Sequence, residues 1–445
     1  MFRESINTIR DGDVELHVTP PPTKICQHCA AKRYPLESAG FCCSQGKVAL
    51  APLPELPGPL LQRLTLDAEF KKHARSINQG LAFTSLGSTR VVQHAGGPPS
   101  FTVSGQLHHT IGGQIGGQQP GAATYHQLYF YDAATQVARR TQLFPSVPAS
   151  AMQFATDLIN AENPYVALYK QAAQLVQQRP SLTLAFKTVG VDQKTYGAPT
   201  TEHEIGVIFD DDDDSIASKR DVVLTRIDNT LTKISELAQA YDPLAYPLIL
   251  PYGSPGWNLA LSKSDGKRMS MLDYYCYRLQ MRVGTTNPLL CGGRVFQQYI
   301  VDQWTKIEQN NLSYLKNNQS KLRVETRKNV EAAAADGADA PTTGKPYRLP
   351  SSFVGSKRYM SQQYQDAMAI VRALGKPDLF ITFTCNPSWP EIARELLPGQ
   401  TPPDRPDIVS RVFKDKMRAL EDDLFKKHVL GRVKGHVYTI EFQKR

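Results

Sequence analysis

Hydrophobic and polar residues alternate along several parts of the chain, and this period of two residues predicts β-strands. The clearest examples are SLTLAFKTV (181–189), EIGVIF (204–209) and DVVLTRI (221–227), with further strands predicted at 101–111 and 126–132. Apolar residues spaced three and four apart predict helices at 65–80, 150–160, 165–178, 360–374, 390–397 and 407–428. Because strands and helices follow one another between residues 65 and 250, this block is predicted to be a mixed α+β domain.

The longest helical pattern runs from residue 292 to residue 323. Its apolar stripe consists of Phe296, Ile300, Trp304, Ile307 and Tyr314. Such a stripe is typical of a helix that packs one face against a core and exposes its lysines to solvent. We favour this interpretation over a DNA-contacting face.

Two strands are predicted near the C-terminal end. The segment PDLFITFTCNPSWPEI (377–392) begins with residues that are apolar on both faces, which indicates an interior strand of a sheet. It ends in polar residues beside the start of a helix. The last segment, GHVYTIEFQKR (435–445), alternates as a strand and closes with two cations. An unpaired strand at this position would be an open sheet edge.

Polar, proline-rich and alanine-rich stretches divide the chain into regions. In order, we predict a flexible arm (1–24), a cysteine-containing knuckle (25–50), the α+β domain (65–250), a helical segment (251–328), a linker (329–346) and a C-terminal block (347–445).

The chain is basic, which favours a polyanionic partner such as nucleic acid. Its 445 residues include 51 Lys and Arg against 42 Asp and Glu, for a net charge of +9. The acidic run at 210–214 is typical of a solvated linker, so the folded parts are more basic than the total indicates. No apolar run approaches the length of a membrane span, and the first residues lack the apolar core of a secretory signal. We therefore expect an intracellular protein of the nucleus or cytoplasm, without a membrane partner.

Four of the seven cysteines lie close together near the N-terminus. Cys26 and Cys29 form a Cys-x-x-Cys pair, and Cys42 and Cys43 follow after a gap of twelve residues. Two such pairs can supply four thiolates to one ion, and the metal then replaces the core that so short a segment lacks. The spacing predicts a structural zinc site, with four unliganded core cysteines as the alternative.

The adjacent pair leaves the ligand set open, because neighbouring side chains usually diverge. If they diverge here, only one of the two cysteines binds the ion, and His28 or a residue outside the segment is the fourth ligand. Lys32, Arg33 and Lys47 give the knuckle a basic edge that suits phosphate groups.

Several blocks of the sequence resemble the Helitron rolling-circle transposases, in their Helitron helicase-like N-terminal domain. The most specific is DLFITFTCNPSWPEI, which resembles the first motif of that domain. Other blocks follow in the order of the family: LAFTSLG, YDPLAYPLILPYGSPGW, GGRVFQQYIVDQWTKIEQNNLSYLKNNQ and YTIEFQKR. The cysteine segment, with CCSQGKV, resembles the zinc-finger-like region of the family. The resemblance extends from about residue 25 to residue 445.

The resemblance implies a Rep-like antiparallel sheet at the C-terminus that is incomplete in this chain. In the family, the block that reads EFQKR here is followed by a His-hydrophobic-His pair that holds a catalytic divalent metal. A later helix carries the tyrosines that attack DNA, and a P-loop helicase follows. None of the ten histidines forms a His-x-His pair, and the sequence contains no P-loop motif.

We therefore expect the N-terminal fragment of a Helitron-like transposase that binds DNA, either single-stranded or at transposon ends. No catalytic residue, catalytic metal, nuclease activity or helicase activity is expected in this chain. The resemblance places Thr384, Asn386 and Trp389 beside the metal site of the full-length protein, where they would support that site or bind nucleic acid by stacking on a base. The terminal Lys444 and Arg445 are further candidates for that contact.

Two other interpretations remain. The first is a domesticated, non-catalytic, zinc-containing module that binds nucleic acid or a protein. The second is an unrelated metalloenzyme that uses His108, His109 and His126. We disfavour the second, because these residues flank a Gly/Gln-rich loop that would position ligands poorly.

Overall fold

The computed structural model describes residues 18–87, 90–91, 103–104, 108–112, 125–170, 183–187, 205–208, 222–224, 231–233, 237–318 and 349–440. The predictions for the acidic run (210–214), for the linker (329–346) and for Lys444 and Arg445 lie outside these residues, as does most of the arm (1–24). Among the described residues, no helix is both long enough and apolar enough to cross a membrane.

The protein is rich in helices, and six of those given below overlap predicted helices, whereas the helices at 58–66, 133–143, 241–245 and 271–278 were not predicted. They include α1 (Gly58–Leu66), α2 (Ala68–Leu81), α3 (Ala133–Leu143), α4 (Ala149–Glu162), α5 (Tyr241–Ala245), α6 (Met271–Arg278), α7 (Arg294–Asn317), α8 (Lys357–Leu374), α9 (Pro390–Ala393) and α10 (Pro406–Phe425). Short 3₁₀ helices lie at Tyr125–Phe130, Pro288–Cys291 and Pro402–Asp404.

The strands are short and pair antiparallel. They are β1 (Lys24–Ile25), β2 (Lys32–Arg33), β3 (Ser85–Gly87), β4 (Arg90–Val91), β5 (Val103–Ser104), β6 (His108–Gly112), β7 (Thr183–Lys187), β8 (Ile205–Ile208), β9 (Val222–Leu224) and β10 (Leu231–Lys233). β1 pairs with β2, and β4 pairs with β5. The two larger sheets have the orders β10-β6-β3 and β8-β7-β9. The strands predicted at 181–189, 204–209 and 221–227 thus form one sheet, in line with the mixed α+β prediction.

The chain divides into two compact units. The first contains the residues up to Trp304 together with Cys385–Lys416, and the second contains Thr305–Thr384 together with Met417–Lys444.

Local capping explains where α2 begins. Asp67 accepts a hydrogen bond from the Phe70 N–H at 3.0 Å, which satisfies one of the free donors of the first turn. Phe70, Ala74 and Ile77 are buried, as their spacing on one helix face predicts. The preceding helix α1 begins inside the proline-rich connector, where a proline in the first turn needs no N–H partner.

Buried aspartates join three helices in the first unit. Asp242 of α5 accepts hydrogen bonds from the hydroxyls of Tyr275 in α6 and Tyr299 in α7, at 3.0 and 3.1 Å. Burial raises the pKa of both tyrosines well above its ordinary value, so they remain protonated donors. The buried Asp302 of α7 accepts in the same way from Tyr241 and Tyr246, at 3.1 and 2.8 Å. The prediction of an apolar core did not include these bonds.

The predicted C-terminal sheet is not formed by the described residues. Residues 378–385, predicted as an interior strand, belong to neither helix nor strand, and the Phe380 side chain is 96% exposed. Residues 435–440, predicted as the terminal strand, are likewise outside any ladder. Both predictions are wrong for this structure, because alternation reports which side chains share a face and not whether a partner strand is present.

Two smaller predictions are also wrong. Residues 125–130 form a 3₁₀ helix where alternation predicted a strand. In α7, Phe296 is buried, but Trp304 and Tyr314 of the predicted stripe are about 60% exposed. Lys306 is buried instead. The side of α7 that is buried therefore changes along the helix. The predicted stripe assumed that the same side is buried throughout.

Candidate metal centre

The first cysteine pair lies on a tight turn between β1 and β2. The Cys26 N–H donates to the Ala31 carbonyl, and the Ala30 N–H donates to the Cys26 carbonyl, each at 2.9 Å. Ala30 has a φ of +56°, the left-handed conformation that reverses the chain here. This turn directs Cys26 and Cys29 toward the same point.

The second pair precedes three residues with positive φ. Ser44, Gln45 and Gly46 have φ values of +49°, +59° and +86°. This backbone brings the Gly46 N–H within 3.2 Å of the Cys43 Sγ, to which it donates. A Cβ atom at Gly46 would lie 2.8 Å from the Nδ1 atom of His28, so the position has no room for a side chain. The loop therefore requires glycine on both conformational and steric grounds.

All four cysteine sulfurs lie within 4.8 Å of one another. Four sulfurs bound to zinc at about 2.3 Å in a tetrahedron are about 3.8 Å apart. Cys26 Sγ is 3.7 Å from Cys43 Sγ, and Cys42 Sγ is 3.9 Å from Cys43 Sγ. The four cysteines can therefore hold a metal ion and are compatible with zinc. The adjacent Cys42 and Cys43 both point to the centre, and His28 is not part of the group.

The thiols differ in their tendency to ionise. Burial acts to raise the pKa of Cys26, but backbone N–H groups of His28 and Cys29 outweigh it, and the pKa falls to about 6. Burial raises the pKa of Cys43 to about 11 and also raises the pKa of Cys42. Of these three thiols, Cys26 is the one most ready to become a thiolate, the form that binds metals.

The knuckle is held on one side by residues 262–285. The Lys32 N–H donates to the Met281 carbonyl at 2.8 Å, and the Arg282 Nε donates to the Cys29 carbonyl at 3.1 Å. The Arg282 guanidinium also lies 3.9 Å from the ring centroid of Tyr277, whose side chain packs against the cysteines. Other contacts on this side are Ala30–Val283, Ser44–Asp273, Lys47–Asp265 and Tyr277–Leu50.

On the other side, the knuckle contacts α9 and α10. Arg411 of α10 makes a two-pronged ion pair with Glu37, with Nε–Oε1 at 2.6 Å and Nη2–Oε2 at 2.7 Å. Its Nη2 also donates to the Lys32 carbonyl at 2.9 Å. The fully buried Tyr34 forms an apolar cluster with residues of these helices, Ile392, Ile408 and Val412.

The segment just before the knuckle is attached to the same helices. The Thr19 N–H donates to the buried carboxylate of Glu391 at 3.1 Å, and Arg394 donates to the Thr19 carbonyl at 2.7 Å. Lys416 pairs with Glu391 at 2.6 Å and lies 5.0 Å from the ring centroid of Trp389. The polar end of the motif NPSWPEI thus binds the N-terminal segment and α10.

The predicted basic edge of the knuckle, Lys32, Arg33 and Lys47, takes part in the contacts that hold the knuckle in place. Lys32 and Arg33 are half-buried in β2, and the Arg33 Nη1 donates to the Ser38 carbonyl at 2.9 Å. Lys47 is 52% exposed and pairs with Asp265 at 3.3 Å. Of the three, Lys47 presents the most accessible charge.

The residues carried over from the family resemblance do not form one group with the cysteines. Asn386 is exposed and accepts a hydrogen bond from the Ser388 N–H at 2.9 Å, which fixes the turn before α9. Trp389 is half-buried and packs against the Tyr34 cluster. Thr384 is exposed in the second unit.

Sequence reasoning missed Glu37, Arg282, Asp273 and Arg411. These residues position the knuckle, but they are up to 374 residues apart along the chain. Two charged residues so far apart produce no periodic pattern in the sequence, so their pairing can be recognised only in the folded structure.

Comparison with known proteins identifies part of the chain. The family model described as "Helitron helicase-like domain at N-terminus" matches residues 274–445. A comparison with curated proteins finds no significant match. The matched residues contain Arg282 and Arg411, which contact the cysteine knuckle, and Glu391, which binds the segment just before it. Residues 274–445 therefore match the Helitron helicase-like N-terminal domain, as the resemblance of the sequence indicated.

Proposed function

We propose that this chain is part of a Helitron-like transposase and that it contributes DNA binding. The observation that carries the proposal is the family match over residues 274–445. The net charge of +9 supports a polyanionic partner. Nuclease and helicase chemistry belong to other parts of such a protein, because this sequence has neither a His-x-His pair nor a P-loop.

The cysteine knuckle holds zinc in this proposal. Cys26, Cys29, Cys42 and Cys43 would be the ligands, and their sulfur spacing supports a tetrahedral site. The ion supplies structural stabilisation by compensating the charge of four thiolates in a segment whose own strands are only two residues long. Contacts on both sides of the knuckle transmit that stability to residues 262–285 and to α9 and α10.

Elemental analysis of the purified chain tests the zinc site. We expect about one zinc per chain, and loss of zinc from a Cys26→Ser, Cys29→Ser variant. Cys385→Ser is the matched control, because Cys385 lies outside the cluster and should leave the metal content unchanged. A wild-type zinc content near zero would refute the site.

Binding to labelled oligonucleotides tests the proposed function. We expect the affinity to fall steeply as salt rises, because phosphate contacts release counterions. A protein that binds no nucleic acid even at low salt would refute the DNA-binding role. If the chain cleaves single-stranded DNA and remains covalently attached to it, the proposal that nuclease chemistry belongs to other parts of the transposase is refuted.

A further inference from the structure

Three aromatic side chains form a column in the second unit. The rings of Phe425, at the end of α10, and His436 have centroids 4.1 Å apart and planes at 27°. The next ring, that of Tyr438, is nearly parallel to His436, with an angle of 5° and centroids 6.4 Å apart. Phe425 thus packs against His436, and the Tyr438 ring continues the column in a nearly parallel orientation.

The backbone fixes this column without a sheet. After α10 the chain turns through His428 and Gly431, whose φ values are +55° and +97°. Gly435 then crosses the end of α8 so closely that a Cβ atom there would lie 2.7 Å from the Leu374 Cδ1. Because the turn and the close crossing both restrict the chain, His436 returns to the end of α10 and meets Phe425.

The open end of the column is accessible and basic. Tyr438 is 57% exposed, and His436 is exposed as well. Lys426 and Lys427 pair with Asp422 and Asp423, so their charges are compensated. The exposed Arg432 and Lys434, in the turn that leads to His436, have no ion-pair partner among the described residues. Aromatic faces next to uncompensated cations are the arrangement that binds single-stranded nucleic acid.

The exposed ring points to the ligand. Tyr438 is 57% exposed, and bases stack on accessible aromatic rings whatever their identity, because every base has a π-face. We propose that Tyr438 and His436 form a stacking site for one unpaired base of a single-stranded nucleic acid, with Arg432 and Lys434 contacting the flanking phosphates. The inference rests on the proposed nucleic-acid binding and assigns it a site.

A single strand fits this site better than a duplex. Bases in a duplex are already stacked on both faces, and a protein ring gains a base only by unstacking it. Phosphate contacts alone would explain the charges but not two parallel, accessible rings. The site is therefore expected to favour a single strand over a duplex of the same length.

Fluorescence anisotropy with a labelled oligothymidylate and the full chain tests the site. Tyr438→Ala should weaken binding about tenfold, the usual effect of losing one stacked base. Tyr438→Phe should bind like wild type, because it keeps the ring, and Tyr438→Leu should bind like the alanine variant. Tyr364→Ala is the matched control, since Tyr364 is a similarly exposed tyrosine on α8 (61%) and should change nothing.

The outcomes separate the site from the wider proposal. If wild type binds the oligonucleotide and Tyr438→Ala binds equally well, the stacking site is refuted while nucleic-acid binding stands. If wild type does not bind at any salt concentration, both are refuted. As a second measurement, irradiation with an oligonucleotide that contains 5-iodouracil should crosslink Tyr438 or His436. Crosslinks confined to other peptides would overturn the assignment.

Discussion

Replacing Arg411 with alanine should detach the cysteine knuckle from α10. The guanidinium makes two charge-assisted bonds to Glu37, at 2.6 and 2.7 Å, and one to the Lys32 carbonyl at 2.9 Å. The side chains of Arg411 and Glu37 are only 11% and 14% exposed. Truncation therefore leaves a poorly solvated carboxylate without its partner.

The size of the effect follows from this burial. Breaking a buried ion pair costs about 3–5 kcal/mol, and the residual exposure of this pair places Arg411→Ala near the lower end, at about 3 kcal/mol. The pair Lys427–Asp423 is the control, because its side chains are 69% and 40% exposed. Lys427→Ala should leave the free energy of unfolding nearly unchanged, because this exposed pair is screened by solvent. The destabilisation by Arg411→Lys should lie between those of the two alanine variants, since lysine keeps the charge but cannot make the two-pronged ion pair.

Urea unfolding followed by tryptophan fluorescence measures these free energies. Trp389 reports on the region directly, because it packs against the Tyr34 cluster over which Arg411 lies. A double-mutant cycle with Glu37→Ala should give a coupling energy of about 2 kcal/mol. If Arg411→Ala costs no more than Lys427→Ala, or if the coupling is near zero, the knuckle is not held by this pair.

Three further predictions concern the same region. Burial alone would raise the pKa of Glu391, but the Lys416 ammonium and the Thr19 N–H outweigh it, so the pKa is below its ordinary value. The stability that Glu391 contributes is therefore present above the ordinary carboxyl pKa, and it is lost as the pH falls through the pKa that Glu391 has in the folded protein. In a plot of unfolding free energy against pH, Glu391→Gln should flatten this part of the curve. Ile392→Ala should cost about 2–4 kcal/mol in urea unfolding, because Ile392 is fully buried, and an effect below about 1 kcal/mol would contradict the cluster. Gly46→Ala should weaken zinc retention against a chelator, because the φ of Gly46 is +86° and a Cβ atom there would meet His28. Gly266→Ala is the control: Gly266 also has a positive φ, but a Cβ atom there would lie in open space, so this variant should retain zinc.

Local signals in the sequence predicted local structure well. The cysteine spacing identified the four residues whose sulfurs converge, and apolar spacing located α2, α4, α8 and α10 to within a few residues. These features depend on neighbours a few positions away, so the chemistry that produces them is visible in the sequence.

Features that depend on distant partners could not be predicted in this way. The alternation in 377–385 indicated an interior strand, but no described residue pairs with it, and Phe380 is almost fully exposed. The pair Arg411–Glu37 and the aromatic column at Phe425 each join residues with no common pattern. Divergence of the adjacent Cys42 and Cys43 was expected from their spacing, but the sulfurs of both lie within 4.8 Å of those of Cys26 and Cys29.

Our central proposal is that the four cysteines hold one metal ion and so fix the knuckle against residues 262–285, α9 and α10. X-ray absorption at the zinc edge tests it most directly on the purified full chain. The account predicts a first shell of four sulfur atoms at about 2.3 Å. A first shell that contains nitrogen or oxygen in place of a sulfur, or the absence of bound zinc, would contradict it.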